Sequence, residues 1–114
     1  MLLDQVKEFI NSNKNLIDDL TKARPQGYIY AFLQECLSLM EGGDSSKIDE
    51  TFLHEYRYTV LTFTDVIIKT KTTQSEKIVI KAIANLLYNV SINYGITECS
   101  TELNALVILS EASK

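Results

Sequence analysis

The chain has 114 residues, 46% of them hydrophobic and 23% charged, with four Gly and one Pro. That balance excludes disorder and suits a single domain, residues 1–114, that closes its own core without metal or disulfide staples. A net charge of −4 and a pI near 4.9 argue against non-specific DNA or RNA binding.

The opening MLLDQVKEFI meets an acid at Asp4 and lacks a basic segment and a long apolar run, so no signal peptide is expected. No stretch approaches the roughly 18–20 apolar residues that span a bilayer. A cytoplasmic location follows as the expectation, and Asn89-Val90-Ser91, though it fits the glycosylation pattern, reads as chance.

Leu3, Val6, Phe9, Ile10, Leu16, Ile17 and Leu20 predict a first amphipathic helix over about residues 2–20. Asn11-Ser12-Asn13 interrupts it with residues that bond their own backbone, so a bend or break belongs there. Pro25 suits the first turn of a second helix, where its missing N–H costs nothing. Ile29, Phe32, Leu33, Cys36, Leu37 and Met40 keep its period until Gly42-Gly43 ends it.

Asp44-Ser45-Ser46 reads as a polar loop, and Ser46 with Asp49 has the spacing of a capping box. Ile48, Phe52, Leu53, Tyr56, Val60, Phe63 and Ile67 predict a third helix. Residues 58–64 and 66–73 are rich in β-branched and aromatic types that also suit strands. The helix is preferred, because the period runs from 52 to 67 without a turn signal and a lone hairpin would lack a sheet partner.

Residues 76–94 carry the stretch around which the others must pack. Val79, Ile83, Leu86, Leu87 and Val90 mark one face, widened by Ile80, Ala82 and Ala84. Thr73 and Glu76 have capping-box spacing, and Gly95 suits a left-handed stop. A last helix follows, capped by Thr97 or Ser100, with Cys99, Leu103, Leu106, Val107 and Ser110 on its inner face. Short loops make neighbouring helices antiparallel. The expected fold is all-α, an antiparallel four-helix bundle with a short additional C-terminal helix. Its core should hold Phe32, Leu33, Phe52, Tyr56, Phe63, Ile83, Leu87 and Val90.

Catalytic chemistry finds little support. His54 is the single histidine, and Glu50 four residues earlier gives a two-residue pair where zinc needs three or four ligands. The Glu-x-x-His spacing of di-iron bundles is absent. Gly42-Gly43 follows a helix and precedes an acid, unlike a phosphate loop. Asp18, Asp19, Glu35 and Glu41 have no base or apolar pocket assigned to them. The reading is no enzyme, no metal and no cofactor, with Cys36 and Cys99 as buried free thiols and a disulfide between them as the minor alternative.

Charge placement says more. Lys69, Lys71, Lys77 and Lys81 surround the turn before the helix at 76–94, with Glu76 the one acid among them. Most acids precede residue 66, so a basic tip sits on an acidic body, suited to an acidic partner or an anionic membrane surface, with ordinary solvation of a helix hairpin as the plain alternative. Six tyrosines suit half-buried edges or interfaces.

Residues 86–106, LLYNVSINYGITECSTELNAL, resemble the immunity proteins for pediocin-like (class IIa) bacteriocins, the enterocin A immunity group in particular. The matching features are Leu87-Tyr88, Thr97-Glu98 and Glu102-Leu103, and the similarity covers about residues 78–111. It implies a cytosolic antiparallel four-helix bundle that protects the producer of a bacteriocin. The partner so implied is a membrane receptor complex of the mannose phosphotransferase type, with or without bound bacteriocin. Many members of the group are basic and extend beyond their last helix, whereas this chain is acidic and stops at Lys114.

Two functions therefore stand side by side. One is a non-enzymatic, cytosolic immunity protein in peripheral contact with the membrane. Its binding residues would be the four lysines and, in the last helix, Glu98, Thr101, Glu102 and Asn104. The other is a small helical regulatory or phage-type interaction protein that dimerises through an exposed apolar stripe. Helices able to close their own core favour the monomer over the homodimer.

Overall fold

The computed structural model describes residues 3–22 and 25–111. The start of the first helix at residue 2 and the short tail to Lys114 fall outside them. Six α-helices occupy the described residues, with no strand among them: α1 (Leu3–Asn11), α2 (Lys14–Thr21), α3 (Tyr28–Met40), α4 (Glu50–Lys69), α5 (Gln74–Tyr94) and α6 (Ser100–Glu111).

Helix α5 is the centre, packed against α1, α3, α4 and α6. Val79, Ile80, Ala82, Ile83, Ala84, Leu86, Leu87 and Val90 are all buried, too broad a face for one neighbour to cover. The Thr73 hydroxyl accepts from the Glu76 N–H at 3.1 Å, while the Glu76 carboxylate accepts from the Thr73 N–H at 2.8 Å. Two orphan donors of the first turn are satisfied in this way. At the other end Gly95 takes φ 66°, and the Ile96 N–H donates to the Ser91 carbonyl at 3.0 Å.

The first amphipathic stretch is two helices. Asn13 Nδ2 donates to the Phe9 carbonyl at 2.7 Å, so a side chain competes for a backbone acceptor at the break. Val6, Ile10 and Ile17 still reach the core across the interruption.

Pro25 does not open the next helix. It sits in the preceding turn, its carbonyl accepting from the Tyr28 N–H at 3.2 Å. Gly27, at φ 80°, is the N-cap residue, and its N–H donates to Asp18 of α2 at 2.9 Å. A contact from another helix thus decides where α3 begins. At its far end a Cβ on Gly43 would stand 2.7 Å from the Ser38 carbonyl oxygen, so the chain turns there only because the residue has none.

The Ser46–Asp49 spacing is not a capping box. Asp44 accepts from the Ser46 N–H at 2.9 Å and starts a single 3-10 turn, Ser45–Lys47. Asp49 is itself the N-cap of α4, accepting from the Phe52 N–H at 2.9 Å. Ile48 therefore precedes the helix. From Glu50 to Lys69 the chain is one helix, through the segment that also suited strands. The Thr59 and Thr64 hydroxyls fold back on the Glu55 and Val60 carbonyls, each at 2.8 Å, which lets both threonines be buried. Burial of Val60, Phe63 and Val66 outweighs the weak helix propensity of β-branched residues.

Phe32 meets Phe52 with ring centroids 4.9 Å apart, and Tyr28 meets Tyr58 edge-on at 6.1 Å, so α3 and α4 run antiparallel. All eight expected core residues are buried. Cys36 is buried and Cys99 partly so, both as free thiols. Helix α6 opens behind Cys99, whose carbonyl accepts from the Leu103 N–H at 2.9 Å. Cys99, at φ 45°, therefore flanks the helix where Thr97 or Ser100 was expected, and with Val107 it packs, partly buried, against the core beside the inner face. Leu103, Leu106 and Ser110 do line it.

Candidate partner-binding surface

The four lysines occupy the turn between α4 and α5 and the first half of α5. Lys69 closes α4 and pairs with Asp65 at 3.3 Å, both largely exposed. Lys71 is exposed in the link, while Lys77 and Lys81 lie one turn apart on α5 and are half-buried. A lysine in that position can lay its methylene stem along the helix.

Beyond Lys81 the outer face of α5 continues with Asn85, Tyr88 and Ile92, and Ile78 lies beside Lys77. Tyr88 is 39% exposed and Ile92 60%. Between Glu76 and Glu98 the chain has no carboxylate, so lysine is the one charged side chain on this face. An acidic protein thus presents one long helix surface that is basic at one end and apolar with amides at the other. Ile78 and Ile92 were not expected on this surface, and Tyr88 only as one of six tyrosines suited to edges or interfaces. Their signal was present as large apolar residues out of phase with the buried set at 79, 83, 86, 87 and 90.

The second expected group is divided by the fold. Thr101 and Asn104 are exposed on α6, but Glu102 is half-buried against α4, its carbonyl 3.5 Å from the Thr64 hydroxyl. Glu98 is not on the helix at all. It precedes α6 and lines a shallow depression of about 580 Å³ with Glu50, Thr51, Leu53, His54 and Arg57. From Glu98 beside Arg57 to Glu102 beside Thr64, α6 advances in the direction of α4. Lys69 is twelve residues beyond Arg57 on that helix, roughly 18 Å along its axis. The acidic start of α6 and the lysine tip therefore sit at opposite ends of the α4–α5 pair.

His54 and Glu50 share the depression. Among the described residues no group of three His, Cys, Asp or Glu side chains can hold a metal ion. Burial pushes the Cys36 thiol far above its ordinary range, and burial followed by the charge of Glu102 pushes Cys99 up to about 11. Both stay protonated at neutral pH and are poor nucleophiles.

Most of the tyrosines tie helices together. Tyr28 bonds Glu55, Tyr30 donates to Asn11 at 3.2 Å, Tyr56 donates to Leu87 and Tyr94 donates to the Leu39 carbonyl at 2.6 Å. Tyr58 and Tyr88 make no such bond among the described residues, and they face water together with Tyr28. No described helix is long and apolar enough to cross a membrane. Compared with known proteins, the chain matches no family model, no curated protein and no solved structure.

Proposed function

We propose that the protein is a binding protein of the bacteriocin-immunity type, without catalysis or cofactor. It protects its host from the cytosolic side, at a membrane receptor complex of the mannose phosphotransferase type. The observation that carries this reading is the carboxylate-free outer face of α5, continuous with Lys69 and Lys71 at the turn. Anionic headgroups attract such lysines by on the order of 1 kcal/mol each. Tyr88 and Ile92 on the same face are side chains that suit the boundary between lipid and water. The resemblance of residues 86–106 to the enterocin A immunity group supports the choice of partner. In the fold so proposed, α1 with α2, then α3, α4 and α5 form the antiparallel four-helix bundle, and α6 is the additional helix.

Partner choice belongs in this reading to the exposed side chains of α6, Thr101 and Asn104, with Glu98 and Glu102 at its start. In this reading the two regions, which the fold separates, divide the work: the lysines attract and α6 discriminates. The test is protection of a sensitive host by the variant carrying Lys→Gln at 69, 71, 77 and 81. Glutamine removes the charge and keeps a polar side chain, and such charges contribute little to folding, so the thermal midpoint should hold while protection falls. Full protection at normal expression would remove the lysines from the site and leave α6 alone. The alternative function, an interaction protein acting as a homodimer, is favoured by one separate observation, the outward face of α4.

A further inference from the structure

We infer that a second copy of this chain docks on the outer face of α4, through an antiparallel two-fold pairing centred on Leu61. His54, Tyr58, Leu61, Asp65 and Ile68 follow one another at alternating steps of four and three, the spacing of a seam between paired helices. All five are exposed, with Ile68 at 61%, Tyr58 at 45% and Leu61 at 39%. The core of the molecule takes the opposite face of α4, through Tyr56, Val60 and Phe63. Nothing in the monomer's packing requires large apolar residues on the outer side.

Charge decides the occupant. A two-fold through Leu61 sets Leu61 against its own copy, His54 level with Ile68, and Arg57 level with Asp65 of the second copy. The last pairing occurs twice by symmetry. Arg57 makes no ion pair among the described residues, and the exposed pair of Asp65 with Lys69 contributes little. A parallel pairing would place Arg57 against Arg57 and Asp65 against Asp65, so the charges select the antiparallel arrangement. The carboxylate of Asp65 in mid-stripe also disfavours an anionic lipid surface here, in contrast with α5. Tyr28, edge-on to Tyr58, widens the seam. One helix of 20 residues, about 30 Å long, buries less than the roughly 800 Å² per partner of a standard interface. The association is therefore weak and concentration-dependent.

Sedimentation equilibrium on the full chain over a wide concentration series reads the result directly. The parent should move from monomer to dimer as concentration rises. Arg57→Asp, which sets two carboxylates together at each end of the seam, should weaken dimerisation about tenfold or more. Adding Asp65→Arg to it should restore most of the loss, which a merely structural role could not do. Both positions are exposed, and unchanged helicity of each variant verifies the fold. A chain that stays monomeric throughout overturns the proposal, as does a dimer indifferent to Arg57→Asp. Neither outcome touches the α5 lysines, whose readout is protection and not mass.

Discussion

The phenol of Tyr56 on α4 donates to the main-chain carbonyl of Leu87 on α5 at 2.7 Å, with both residues fully buried. That carbonyl lies mid-helix, where its backbone partner leaves one lone pair over. The tyrosine thus fixes the register of the α4–α5 pair without breaking a helical bond. Tyr56→Phe should destabilise by about 0.5–1.5 kcal/mol, the net worth of one such hydrogen bond. Leu87→Ala should cost about 2–5 kcal/mol, the range for a buried leucine. Urea unfolding measures both, and a Tyr56→Phe protein as stable as the parent would show the bond to be without weight.

Helix α5 is held at its start by the reciprocal bonds of Thr73 and Glu76. Thr73→Ala removes the acceptor for the Glu76 N–H and should lower stability by about 0.5–2 kcal/mol. The effect should appear as faster hydrogen exchange in the first turn of α5, with α3 unaffected.

Gly43 allows the chain to leave α3 against the Ser38 carbonyl. Gly43→Ala brings a methyl to 2.7 Å from that oxygen, so backbone must shift. Gly95→Ala meets no atom within 4 Å and carries only the conformational penalty at φ 66°, roughly 1–2 kcal/mol. Thermal melts of the two variants should differ in one further respect. The Gly43 change should also loosen the pair of Lys7 with Glu41, 2.8 Å apart, which joins α1 to the end of α3.

Stability should decline on the alkaline side. Burial raises Cys36 and Cys99 above the ordinary thiol value of 9.0, and Tyr56 above the phenol value of 10.0. Folded pKa values above the unfolded ones mean that the unfolded chain loses its protons first. Their contribution is thus intact below pH 9.0 and is lost progressively as pH rises past 9.0 for the thiols and past 10.0 for the phenol. The urea midpoint should be level from neutral pH to that point and then fall. Cys36→Ala should flatten the first part of the fall, and an unaltered profile would assign it elsewhere.

What the sequence determined by itself was whatever depends on residues within a turn or two of one another. The Thr73–Glu76 cap, the stop at Gly95 and the break at Asn11-Ser12-Asn13 are local competitions for backbone hydrogen bonds, so their chemistry is readable in order. The periodicity of 52–67 likewise sufficed for α4 as a helix, because the buried face repeats over roughly four turns. The tertiary structure decided what depends on distant partners. Asp18 of α2 sets the start of α3, where Pro25 had suggested an earlier one, and Asp49 displaced Ser46 as the cap of α4. Glu98 left α6 for a depression shared with Arg57, and the lysines came to lie at the far end of the same helix pair. The outer faces of α4 and α5 belong with these. An exposed Leu61 and a buried Val60 are adjacent apolar residues in the sequence, and only packing of the other helices says which of them meets water.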